Sequence, residues 1–305
     1  MKNKILSLPL LALAVGLICI QAATAQSFKR VPVKGSVPIV QIAAGDSSVW
    51  ALASNGHPYV YKGGQFAMAK NLVLTQIAAG GGSLTQPDAV WGISAAGNVY
   101  SATLTGTKWV FSLMPGVLDF IAVGIGYADD CHPYEVWGLN TAAFIYRYNY
   151  CLQNWEQAPG TLGTIAVGGG EVWGIGGGLP FVFNFSTLSF DPPPDASNRS
   201  YVDITVGPFG AWAKRSFTGD PDVYLYDKLL FEFSPEGDYL DQIKAGGNGV
   251  WGLGSAHSSI FISHFEPSTL KFVEISREKL TSISVGNSGV WGINGSHEVY
   301  SFSTP

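Results

Sequence analysis

Val290-Trp291-Gly292-Ile293 is the stretch whose reading decides the fold, because six near-copies precede it along the chain. They stand at Val49-Trp50-Ala51-Leu52, Val90-Trp91-Gly92-Ile93, Val136-Trp137-Gly138-Leu139, Val172-Trp173-Gly174-Ile175, Ala211-Trp212-Ala213-Lys214 and Val250-Trp251-Gly252-Leu253. Successive tryptophans are 41, 46, 36, 39, 39 and 40 residues apart. A period near forty residues marks a repeat architecture, in which each unit is one small supersecondary element stacked on its neighbours.

Around each tetrad lie further short strand signals, here named A to D. Strand A is an Ile-x-x-Gly stretch, from Ile42-Ala43-Ala44-Gly45 through Ile77, Ile121, Ile165, Ile204 and Ile243 to Ile283-Ser284-Val285-Gly286. Strand B is the tetrad. Strand C is aromatic, as in Tyr59-Val60-Tyr61 and Val299-Tyr300, and strand D carries Phe66, Trp109, Trp155, Phe190, Phe233 or Phe272. The seventh repeat ends after its strand C, while Phe28-Lys29-Arg30-Val31 precedes the first strand A. If that segment pairs beside Val299 to Phe302, every strand type is present seven times and a ring closes. The expectation is an all-β, seven-bladed β-propeller of four-stranded antiparallel blades, strand A nearest the axis, with the N-terminal strand completing the last blade. Six blades is the fallback.

Side chains on a strand alternate between faces, so the tetrad tryptophan points to one side of its blade and the valine and glycine to the other. Large faces can then press on small ones, and the glycine is expected to leave room for an indole ring. Alanine and glycine on strand A let seven sheets crowd the axis.

The first 25 residues read as a secretory leader: Lys2 and Lys4, an apolar run from Ile5 to Ile20, and Ala23-Thr24-Ala25 before Gln26. The expected product is an exported domain of residues 26–305, secreted or periplasmic. No later apolar run reaches the roughly 18 residues that span a bilayer. A net charge of -5 argues against a nucleic-acid partner.

The run Ile-x-Val-Gly, then Val-Trp-Gly-Ile, then Val-Tyr resembles the tectonin-repeat β-propellers, a family that includes secreted lectins. It is clearest at Ile283 to Tyr300 and at Ile165 to Ile175, and extends over roughly residues 28 to 302. The resemblance implies a propeller that binds carbohydrate. Family lectins are often six-bladed, whereas seven tetrads here predict seven. The matching residues are core residues, so no binding residue is carried over.

In such a ring the A-to-B and C-to-D turns share one face, and the B-to-C and D-to-A turns share the other. Cys131 and Cys151 fall on one face of the third blade and are read as a disulfide; a metal pair lacks further ligands, and a redox pair lacks Cys-x-x-Cys spacing. On the opposite face His57, His257 and His297 occupy the B-to-C turns of three consecutive blades. They either line a pH-responsive groove or are ordinary polar turn residues. Lys214 stands where the other six tetrads have Ile or Leu, with Arg215 after it; it asks for a partner, such as Asp220 or Asp222, or for a ligand. Sequons occur at Asn184, Asn198 and Asn294. No catalytic motif is present; Asp88, Asp129, Asp130 and Glu135 cluster in loops and would be the carboxylates of a hydrolase or lyase. No cofactor or metal is implied. The leading expectation is a non-catalytic lectin with several weak sites, its partners glycans or glycoconjugates. The alternatives are a propeller that recognises a protein through its B-to-C face and a propeller glycan hydrolase or lyase.

Overall fold

Four short strands per repeat fold into one antiparallel sheet each. The computed structural model describes residues 27–303 except 84–85, 126–128, 194–199, 216–222, 230–231, 236–238 and 257–258. Seven four-stranded sheets follow one another, each ordered A-B-C-D, and the ring is a seven-bladed β-propeller. The leader-like segment and His257 lie outside the described residues.

Each strand A ends where neighbouring blades touch backbone to backbone. A Cβ on Gly80 would sit 2.7 Å from the carbonyl oxygen of Val123, and one on Gly124 2.6 Å from that of Val167. Gly168, Gly246 and Gly286 meet the next blade's carbonyls in the same way. Side chains on strand A then tie blade to blade. Gln41 donates to the carbonyl of Ile77 and accepts from its N–H, and Gln76 makes the same pair with Ile121. Ser284 accepts from the N–H of Ala44 across the junction of the last and first blades.

The tetrad indole is the principal wedge. Within a blade, strands C and D place two aromatic rings directly opposite: Tyr61 and Phe66, Tyr148 and Trp155, Phe183 and Phe190, Tyr226 and Phe233, Phe265 and Phe272, Phe302 and Phe28. The indole of the preceding blade crosses that pair. Trp91, Trp137, Trp173, Trp212, Trp251 and Trp291 lie 4.6 to 4.8 Å, centroid to centroid, from the strand C ring. The strand D ring is 5.4 to 6.4 Å away. Blade 2 has Leu104 opposite Trp109, and there Trp50 packs on Trp109 at 4.7 Å with Phe111 as the second ring.

The glycine beside each tryptophan does not make room for an indole. Its open space is filled by a leucine of the same blade, three residues before the strand A isoleucine. A Cβ on Gly92 would collide with Leu74, on Gly138 with Leu118, on Gly174 with Leu162, on Gly252 with Leu240 and on Gly292 with Leu280. In blades 1 and 5 the leucine is replaced by Ile39 and Tyr201, and there the tetrad carries Ala51 and Ala213, packed in the same clusters.

Ring closure follows the expected register. Ser27–Val31 pairs antiparallel with Val299–Ser303, placing Arg30 opposite Tyr300 and Val31 opposite Val299. Phe28 is buried against Trp251 and Phe302, and Arg30 reaches Glu298 at 2.8 Å. Phe28→Ala empties the cross-strand pair that the sixth indole packs on. It should lower unfolding stability by about 3 kcal/mol, read as a lower urea midpoint with an unchanged m-value.

Candidate functional site

The face formed by the A-to-B and C-to-D turns carries two hydrogen-bonded networks and a set of clefts. At its blade 1 and 2 junction, Asp88 extends from the second blade into the A-to-B turn of the first. Its carboxylate accepts from the N–H groups of Asp46, Ser47, Ser48 and Gly82 and from the Ser48 hydroxyl. Asp46 bridges onward, accepting from the Gly81 N–H and from Asn287 of blade 7. Burial raises the Asp46 carboxyl above its ordinary range, the Gly81 N–H opposes the shift, and nearby Asp88 adds to it.

The second network belongs to the blade 3 loop. Cys131 and Cys151 form a disulfide with Cα atoms 5.0 Å apart. Next to it the buried His132 sits between Asp129, 2.8 Å from Nδ1, and Glu156, 3.5 Å from Nε2. Burial pushes the Asp129 carboxyl up, but the hydrogen bonds from His132 and the Cys131 N–H outweigh it and hold the carboxyl below its usual range. Glu135 is fully buried and takes both prongs of Arg147 as well as the Trp137 indole N–H.

Between these networks, clefts recur at equivalent places where one blade meets the next. The cleft of blades 5 and 6 encloses about 420 Å³ and is lined by Phe209, Tyr226, Asp227, Lys228 and Leu270. That of blades 6 and 7, about 270 Å³, has Trp251 at its base with Asn248, His264 and Glu266; His264 lies against the indole and its Nδ1 is 3.1 Å from Glu266. That of blades 2 and 3, about 220 Å³, is bordered by Trp91, Tyr134 and Tyr150. Volumes of this size admit one or two sugar rings. The axial channel is tighter, about 130 Å³ and lined mostly by glycine and small apolar residues.

Blade 5 is the outlier. Its A-to-B turn holds Phe209, 49% exposed, where blades 1, 4, 6 and 7 have serine, glycine or asparagine. In blades 1, 3 and 4 the indole N–H donates to the side chain two residues earlier, Ser48, Glu135 or Glu171. In blades 6 and 7 it reaches the carbonyl of Asn248 or Ser288. Blade 5 has Gly210 two residues before its tryptophan, as blades 6 and 7 have Gly249 and Gly289, and among the described residues the buried Trp212 Nε1 has no hydrogen-bond partner.

The family model described as Tectonin domain matches residues 20–179 and 196–304. The chain belongs to the Tectonin domain family. No curated protein matches it. Among solved structures it is similar to YCF48 bound to D1 peptide, at 13% identity and a TM-score of 0.61 over 91% of this chain and 97% of that one. It is also similar to human WBSCR16, at 9% identity and a TM-score of 0.61 over 88% of this chain and 87% of that one. For YCF48 from Cyanidioschyzon merolae the values are 13% and 0.59, over 90% and 98%. At these identities the likeness is one of fold.

Within this Tectonin propeller, the histidines expected to form a groove act at separate blade junctions. His57 Nδ1 is 3.0 Å from the carbonyl of Leu72, and His297 Nδ1 is 3.2 Å from that of Ile39. His297 borders a groove of about 430 Å³ at the ring closure with Arg30 and Glu298; His57 is not among its lining residues. Lys214 Nζ meets the Arg215 carbonyl at 3.4 Å, and Arg215 donates to the Tyr224 hydroxyl at 3.2 Å while stacking on its ring. Asp220, Asp222 and Asn198 lie outside the described residues. Asn184 and Asn294 accept from N–H groups of their own turns and donate to Asp191 and Glu298. Among the described residues no cluster of three or more histidine, cysteine or carboxylate side chains is placed to hold a metal.

Phe209, His132 and His264 were not legible as site residues from composition. Comparing the A-to-B turns repeat by repeat picks out two aromatic residues three before the tetrad tryptophan, Phe209 in the degenerate fifth copy and Tyr134 in the third.

Asp88→Ala strands several N–H donors of the first A-to-B turn and should cost at least about 2 kcal/mol, measurable by urea unfolding. Replacing Cys131 and Cys151 by serine should cost about 3 kcal/mol for a loop of this size. Reductant should produce the same loss in the native chain and none in the double variant.

Proposed function

We propose that this protein is an exported, non-catalytic carbohydrate-binding protein whose sugars lie in the clefts between blades on the A-to-B and C-to-D face. The observation that carries the reading is the cleft of blades 5 and 6. The exposed phenyl ring of Phe209 borders a groove that also holds Tyr226, the Asp227 carboxylate and the Lys228 ammonium, the last paired with Glu171 of blade 4. A pyranose offers one apolar face to a ring and hydroxyls to charged hydrogen-bonding groups, so this combination fits it. Equivalent clefts of different lining around one rigid ring give several weak sites, and linked weak sites gain about 10² to 10⁴ in avidity. The carboxylates a hydrolase would use, Asp88 and Glu135, are already saturated by structural donors, which supports binding over catalysis. Export rests on the leader-like first 25 residues and accords with the disulfide.

A protein partner on the B-to-C face is the second reading. Exposed Val73, Val117, Phe144 and Tyr239 on that face favour it, as does the peptide bound to the similarly folded YCF48.

A glycan array followed by calorimetry tests the first reading. One sugar class should bind, and Phe209→Ala should weaken it roughly 10-fold, the equivalent of about 1.4 kcal/mol, with thermal stability unchanged. An array with no bound sugar, or equal affinity in the variant, would overturn the cleft assignment.

A further inference from the structure

The cleft between blades 6 and 7 holds a carboxylate and neither lysine nor arginine: Trp251 lies at its base, with Asn248, His264, Glu266 and Phe302 around it. The other interblade clefts differ in charge. That of blades 5 and 6 sets Lys228 beside Asp227, and the carboxylate bordering that of blades 2 and 3, Asp88, is spent on backbone N–H groups.

The strand C residue opposite the tetrad tryptophan is Arg147 in blade 3 and His264 in blade 6. Glu135, two residues before Trp137, closes over Arg147. In blade 6 that place belongs to Gly249, where a Cβ would lie 2.5 Å from His264 Nε2, so no side chain of the turn covers the ring. His264 Nδ1 is 3.1 Å from Glu266 Oε1. A carboxylate only accepts, so the proton of the neutral ring is on Nδ1 and Nε2 carries a lone pair. Asn248 donates through Nδ2 to the Gly286 carbonyl, which leaves its Oδ1 as the free end. Among the described residues, His264 Nε2, Glu266 Oε2 and Asn248 Oδ1 meet no donor. Lys271 stands opposite Glu266 in the strand pair, yet the ion-pair partner of Glu266 among the described residues is His264.

We propose that this cleft binds the ammonium group of an unacetylated amino sugar, a step that rests on the carbohydrate reading and names the sugar for this site. Charge and hydrogen-bonding sense select the group. A hydroxyl brings one donor and lone pairs that ask for donors in return, whereas an ammonium brings three donors, accepts nothing and supplies the charge that Glu266 lacks a partner for. Trp251 and Phe302 line the same space, and aromatic rings attract a cation. An N-acetyl group removes the charge and two of the donors. An anionic sugar would meet Glu266.

Calorimetry at about pH 7, where an amine of this kind is mostly charged, tests the assignment with a glucosamine oligosaccharide and its fully N-acetylated counterpart. The free amine should bind at least about tenfold more tightly. Glu266→Gln keeps the shape and the acceptor for Nδ1 and should abolish that preference; His264→Gln should reduce it. The Glu266 side chain is 44% exposed, so the circular dichroism of its variant should be unchanged. Equal affinity for the two sugars, or a preference that survives Glu266→Gln, would overturn the amine site and leave the carbohydrate reading standing. Trilysine that binds through Glu266 where the amino sugar does not would also overturn it, in favour of a peptide. A chain that binds no sugar at all would overturn both.

Discussion

The crossing of one tetrad indole over a cross-strand aromatic pair is the contact on which the ring depends. Each blade is too thin to bury both faces, so its indole has no shelter until the next blade supplies two rings. The contact runs in one direction, from strand B of one blade to strands C and D of the next, and it therefore closes only when the last indole finds the first blade. Trp291 on Tyr61 and Phe66, and Trp251 on Phe302 and Phe28, are the two contacts at that closure. Edge-to-face geometry adds about 0.5 to 1.5 kcal/mol per pair beyond the buried area. Six such wedges, with Trp50 on the strand D rings Trp109 and Phe111 as the seventh contact, couple the blades into one cooperative unit.

This dependence explains why the fold was legible from the chain and the site was not. The indole, its aromatic receptors and the strand A glycines repeat because each blade must solve the same packing problem, and repetition exposes them. The pairing of Phe28 to Val31 with the seventh blade was legible for the same reason, since without it that blade lacks the outer strand the other six repeats supply. The role of the tetrad glycine was misread because its neighbour is not an indole. It is a leucine three residues before the strand A isoleucine, outside the tetrad. The signal was nevertheless present: where Leu gives way to Ile39 or Tyr201, Gly gives way to Ala51 or Ala213.

Turn residues obey no such shared constraint, so their identity says little until neighbours are in place. His57 and His297 look like a set in sequence, yet each uses its ring on a backbone carbonyl of the adjoining blade. Asp88 and Glu135 look like catalytic carboxylates, yet one organises a turn and the other neutralises a buried guanidinium. His132 was invisible as a buried residue because the disulfide loop that covers it has no counterpart in the other blades.

Blade 5 is where the shared constraint is relaxed. Gly210 offers no side-chain acceptor of the kind blades 1, 3 and 4 have, the carbonyl that serves in blades 6 and 7 is not used either, and among the described residues the Trp212 indole N–H is unsatisfied in the core, a loss of about 1 to 3 kcal/mol by the usual cost of a buried donor. The same turn exposes Phe209 at the edge of the cleft between blades 5 and 6. A packing error would be expected to disturb the wedge, but Trp212 still crosses Phe265 and Phe272 with the geometry that Trp91, Trp137, Trp173, Trp251 and Trp291 show. The departures of blade 5 reach from the turn into the tetrad itself, at Ala211, Ala213 and Lys214, and into the preceding connection at Tyr201, yet they are absorbed around the indole with its contact to the next blade intact.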